Sequence, residues 1–137
     1  MSVTLSVAAH PSHVSWCRSA AAAVLDAWGV ETHAKEAAAL ALSELVSNAV
    51  QYGSAPITVT LTLDRWEGTL VGDVEDAGPG WPTPRDAGRL GELAEGGRGL
   101  LLVGLLCTRW GVTRCASGPG KTTWFCLSVP HLGLEVW

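Results

Sequence analysis

Apolar and polar positions change period several times along the chain, and each change marks an element. Val3, Leu5 and Val7 alternate with Thr4 and Ser6, the period-two pattern of a short edge strand, and His10-Pro11 ends it. From about Ser12 to Trp28 apolar residues recur at helical spacing, with Ser12 placed as N-cap and Gly29 just past the end. A second, longer helix is predicted over about His33 to Tyr52, capped by Thr32 and closed by Gly53. Alternation then returns: Ile57 to Leu63, a turn over Asp64 to Gly68, and Thr69 to Val74 read as a β-hairpin. Between Ala77 and Gly97 periodicity gives way to Gly, Pro and charge, a loop of about twenty residues of the kind that serves as a lid or binding loop. A third helix is expected from Gly99 through the Leu100 to Leu106 run, and Trp110 to Cys115 with Thr122 to Val129 form a last hairpin. This order predicts an α+β fold, a two-layer sandwich with helices on one face of a mixed or antiparallel sheet.

Three places in this order carry candidate chemistry. On the second helix Leu42, Leu45, Val46, Ala49 and Val50 make a core stripe, while Glu44, Asn48 and Gln51 share the other side. A carboxylate and an amide one turn apart are able to hold a hydrated magnesium ion and a nucleophile, although a solvated helix face shows the same spacing. At the end of the third strand Asp76 is followed by Gly78 and Gly80, which let the backbone turn and approach a ligand closely; a simple turn has the same composition. Gly96-Gly97-Arg98-Gly99-Leu100 opens the next helix, where free N–H groups and the helix dipole favour an anion and Arg98 adds a guanidinium; a glycine hinge is the alternative.

Taken together, in this order and with the long loop between the second and third pieces, these motifs resemble those of the GHKL (Bergerat-fold) ATPases. Glu44-x-x-x-Asn48 looks like the N box, Asp76-x-Gly78-x-Gly80 like the first glycine box and Gly97-x-Gly99 like the second. Within that superfamily the chain is most similar to the anti-sigma-factor serine/threonine kinases, and the resemblance runs from about Ser12 to Leu127. It implies one histidine-kinase-like ATP-binding domain over residues 1–137 with an ATP lid at about 81–97, using ATP and Mg²⁺. By the same resemblance Asn48 would ligate magnesium and Glu44 would be the general base. Asp76 would bind adenine in a pocket lined by Gly78 and Gly80, and Gly97, Arg98, Gly99 and Leu100 would meet the phosphates. Thr122 would join Asp76 around the base through water. The implied partners are a sigma factor and an anti-anti-sigma antagonist, with a homodimer formed through the first strand and helix. Many relatives carry a basic residue and a histidine where this chain has Gln51-Tyr52, and a nucleotide-sensing binding module without phosphotransfer is the competing expectation.

Composition narrows the picture further. With 137 residues the chain has room for one domain, and 47% apolar against 16% charged residues is enough to bury a core. A net charge of −4 gives no global attraction to nucleic acid or to an anionic membrane, and the seven Trp lack the basic interleaving of a base-stacking surface. The longest apolar run, Leu100 to Leu106, falls well short of the roughly 18 residues of a membrane span. The N-terminal residues show neither a basic leader nor a sufficient apolar stretch, so the cytoplasm is expected. Cys17, Cys107, Cys115 and Cys126 lack metal-ligand spacing and are expected as free buried thiols. Ser117-Gly118-Pro119-Gly120-Lys121-Thr122 imitates the end of a P-loop, but Cys115 stands where that motif needs glycine and a β-rich stretch follows the lysine. It is read as a hairpin turn. His10, His13, His33 and His131 share no spacing, and no phosphoacceptor histidine helix is evident.

Overall fold

The computed structural model describes residues 1–78, 107–115 and 118–129. Along the chain these form β1 (Ser2–Val7), α1 (Ser12–Ala27), α2 (Thr32–Tyr52), β2 (Ile57–Asp64), β3 (Thr69–Asp76), β4 (Arg109–Arg114) and β5 (Lys121–Ser128). The expected third helix, the lid, Gly80 and the Gly97 to Leu100 box lie outside the described residues. The strands form one sheet in the order β1-β2-β3-β5-β4, and every pairing is antiparallel. The α+β class therefore holds, with the sheet antiparallel rather than mixed among the described strands.

Alternation along the strands decides which face meets the helices. Ile57, Val59, Leu61 and Leu63 of β2, Leu70 and Val74 of β3, and Phe125 and Leu127 of β5 are buried in one cluster with residues of both helices. Their neighbours Thr58, Thr60, Thr62, Val71 and Asp73 point to the other face. Helix α2 lies on β2, β3 and β5 and packs against α1. Its buried face is made largely of Ala34, Ala38, Ala41 and Ala49 with Leu42, Leu45 and Val46, side chains small enough to bring the helix close to the sheet. One glycine fits a large neighbour: a Cβ on Gly72 would overlap the ring of the fully buried Phe125.

The helix ends correct two details. Ser12 lies inside α1 and makes no N-cap bond; the position before it, Pro11, already has helical dihedrals. Glu31, not Thr32, caps α2, accepting from the backbone N–H groups of Ala34 at 2.7 Å and His33 at 3.2 Å. A longer side chain reaches back over the first turn, and a carboxylate there also suits the positive end of the helix dipole. At the other end of α1 Gly29 has φ +76°, and the bonds Gly29 N–H to Asp26 and Val30 N–H to Leu25 make a Schellman closure.

Candidate functional site

Asp76 is the last residue of β3 and faces the helix layer, where it is only 3% exposed. Its Oδ1 accepts from the backbone N–H of Gly78 at 2.8 Å and from the Lys121 ammonium at 2.9 Å. Lys121, the first residue of β5, stands directly opposite Asp76 in the ladder, is 5% exposed, and also donates to the Gly78 carbonyl at 3.3 Å. A buried charge is tolerated only when paired and hydrogen-bonded, and this pair satisfies both conditions.

Backbone closes around Asp76 from three directions, two of them against its carboxylate. An ideal Cβ on Gly53 would lie 2.6 Å from Asp76 Cγ, one on Gly78 3.1 Å from Oδ1, and one on Gly120 2.6 Å from the Asp76 carbonyl oxygen. The Ala77 N–H donates to the Ser54 carbonyl at 2.9 Å, tying the end of β3 to the segment that leaves α2. The C-terminal turn of α2 thus abuts Asp76. Asn48 belongs to that part of the helix, immediately before Ala49, whose carbonyl accepts the Gly53 N–H.

Asn48 is half-buried, and its Nδ2 is a buried polar atom with no hydrogen-bond partner among the described residues. An unsatisfied buried donor costs roughly 1–3 kcal/mol, so this amide has hydrogen-bonding capacity to offer a ligand. The two ends of an amide have the same shape, and with the amide turned the orphan is an oxygen, the hard ligand that magnesium takes. Glu44 is half-buried one turn earlier on the same side of α2, and Gln51 and Tyr52 are exposed at its end. The residues therefore fit a nucleotide with its metal at the level of α2 and β3. The phosphate box falls outside the described residues.

Thr122 requires a correction. It pairs with Glu75, so it shares the outer face of the sheet with that residue, whereas Asp76 and Lys121 face the helices. The threonine on the Asp76 side is Thr123, which is buried opposite Val74. The sequence pattern does not single out Lys121 and Thr123, because the composition of 117–121 is that of a turn and the strand is expected only from Thr122. Extending the alternation of Thr123, Phe125 and Leu127 back by one step would have turned Lys121 inward. A concavity of about 230 Å³ opens at the same strand ends and is lined by Thr58, Glu75, Asp76, Cys115, Gly118 and Gly120 among others. Thr58 and Glu75 are paired on the outer face of the sheet, so Asp76 contributes to the wall of this concavity as well as to the enclosed ion pair with Lys121. Among the described residues there is no helix long and apolar enough to cross a membrane and no metal-binding cluster of His, Cys, Asp and Glu. All four cysteines are free, with Cys17 and Cys126 buried and the others partly so.

Comparison with solved structures supports the same architecture. The chain superposes on the RsbU and RsbW domains of Rv1364c from Mycobacterium tuberculosis with a TM-score of 0.70 at 19% identity, over 94% of this chain and 32% of that one. It is also similar to the histidine kinase domain of the blue-light activated histidine kinase of Erythrobacter litoralis EL346, with a TM-score of 0.51 and 26% identity over 87% and 60% of the two chains. The SiaB-SiaC complex from Pseudomonas aeruginosa gives a TM-score of 0.56 at 14% identity, covering 93% and 89%. This chain spans about a third of the first of these. A search of curated proteins finds no significant match. The model of the histidine kinase-like ATPase domain matches residues 7–127, from the last residue of β1 through both helices to the penultimate residue of β5. With the antiparallel sheet, the helix bearing Glu44 and Asn48, and the enclosed Asp76 already in place, the chain belongs to the histidine kinase-like ATPase domain family.

Proposed function

We propose that the protein is an ATP-binding, Mg²⁺-dependent serine/threonine kinase of the anti-sigma-factor type, which phosphorylates a small antagonist protein, sequesters a sigma factor, or does both. The observation that carries this reading is the orphaned amide of Asn48 on the helix whose last turn closes over Asp76. In this reading Asp76 accepts the exocyclic amine of adenine, with Gly78 and Gly80 allowing the base to approach. Asn48 presents its amide oxygen to magnesium, which supplies positive charge at the phosphates. Glu44 takes the proton from the attacking hydroxyl. Gly97, Arg98, Gly99 and Leu100, where the sequence pattern leads to the expectation of a helix start, receive the phosphates through backbone N–H groups, and the Arg98 guanidinium adds charge. Such a protein works in the cytoplasm on protein partners, and the exposed edge of β1 suits pairing into a homodimer. SiaB, which shares the fold, was solved in complex with SiaC, in keeping with a protein partner.

Two substitutions test the assignment. Asn48→Ala should abolish magnesium-dependent ATP binding in calorimetry, yet leave the melting temperature of the nucleotide-free protein unchanged or higher, because it removes an unpaired buried donor. Glu44→Gln should keep ATP binding and lower transfer from labelled ATP to the antagonist by at least about a hundredfold, the usual worth of a general base. Wild-type transfer rates in the Glu44 variant would remove that role. The exposed Gln51-Tyr52, in place of basic residues, favours a second reading: a module that senses ATP and holds its partner without phosphorylating it. Transfer to any candidate antagonist decides against it.

A further inference from the structure

Lys121 opens β5 in phase with Thr123, Phe125 and Leu127, so its side chain is turned toward the helix layer. Lysine is among the residues least often fully buried, and a buried ammonium needs its charge balanced and its donors used. Asp76 balances the charge. Of the three N–H donors of an ammonium, one goes to Asp76 Oδ1 and one to the Gly78 carbonyl, and the described residues offer the third no acceptor. Asp76 has the matching surplus. Its Oδ1 receives both the Gly78 N–H and the ammonium, and no hydrogen bond from the described residues reaches Oδ2. Neutralising the carboxylate would take one contact. What the pair leaves over is one donor beside one acceptor, at directly paired positions on the sheet face that α2 covers.

The Watson–Crick edge of adenine carries the complementary arrangement, an amine donor at N6 next to a ring acceptor at N1. We propose that Lys121 is a base-reading residue: its remaining N–H donates to N1 while Asp76 Oδ2 accepts from the N6 amine, so the ion pair reads both groups at once. The inference rests on the nucleotide-site reading above. It makes Lys121 a specificity-determining residue and not only a counter-ion.

Calorimetry with ADP and with 1-deaza-ADP, in which a C–H replaces N1, separates the two roles in the presence of magnesium. Wild-type protein should bind ADP at least tenfold more tightly than the analogue. Lys121→Met, which keeps the length of the stem and removes the donor, should bind the two ligands within about twofold of each other, and Lys121→Arg should retain the preference. If Lys121→Met does not fold, the double variant Asp76→Asn/Lys121→Met, free of both buried charges, serves for the same comparison. Equal binding of the two ligands by wild type, or an undiminished preference in the methionine variant, overturns the role of Lys121 and leaves the nucleotide site standing. Failure of wild type to bind ADP at all overturns both.

Discussion

Gly53 closes α2 with φ −97° and ψ −158°, a backbone open to any residue, so ending the helix does not by itself require glycine there. The requirement is space: a Cβ would stand 2.6 Å from Asp76 Cγ and 2.8 Å from the Ala49 carbonyl oxygen. Gly53→Ala must push the carboxylate off the Gly78 N–H and the Lys121 ammonium, because the other obstacle is backbone. We expect a loss of about 1–3 kcal/mol, in the range of overpacking, together with weakened nucleotide binding. Gly29, at φ +76° with open space around it, gives the contrast: Gly29→Ala should lower stability through backbone strain and leave nucleotide binding untouched. Paired thermal melts and calorimetry check both. The residue scale is also where the sequence was least legible. Gly53 stood in the expected place for a reason that involves Asp76, and Lys121 was masked by a turn whose composition imitates a phosphate loop.

Elements were easier to read, since each is specified by a local period. The strands of the central hairpin begin where alternation begins, and α2 follows its Ala and Leu stripe over the span expected from His33 to Tyr52, with Thr32 added at its start. Ends were read less well because capping depends on which side chain reaches back, and Glu31 reaches farther than the threonine beside it. Since α2 carries both Glu44 and Asn48, its first turn holds the site's helix in register from a distance. Glu31→Ala should cost about 1 kcal/mol, the usual worth of an N-cap, while Thr32→Ala should change stability by less than about half of that. Chemical denaturation of the two variants tells the caps apart; equal losses would return the cap to Thr32.

At the scale of the whole molecule, the site depends on pairings that no local pattern contains. Asp76 and Lys121 are 45 residues apart in sequence and meet only because β5 inserts between β3 and β4. The motif order pointed to the family, but the register that separates Thr122 from Thr123 comes from the assembled sheet. Global stability holds another such consequence. Burial pushes the fully enclosed Cys17 thiol up from 9.0 to about 11, and burial followed by the nearby Cys126 pushes Cys107 up to about 12. Unfolded chains release these protons near pH 9, whereas the folded protein keeps them, so above that pH the unfolded state binds fewer protons and stability falls as pH rises. The stabilisation is complete below pH 9 and is lost progressively toward pH 11 for Cys17 and pH 12 for Cys107. For Cys17 a gap of two pH units corresponds to about 3 kcal/mol. Guanidinium unfolding at pH 7.5, 9 and 10.5 should therefore show a falling midpoint at the alkaline end. Cys17→Ala, less stable at neutral pH for lack of the sulfur's packing, should lose less than wild type between pH 9 and 10.5, by up to about 2 kcal/mol. Parallel losses in the two proteins would mean that the buried thiol contributes nothing to the alkaline limit.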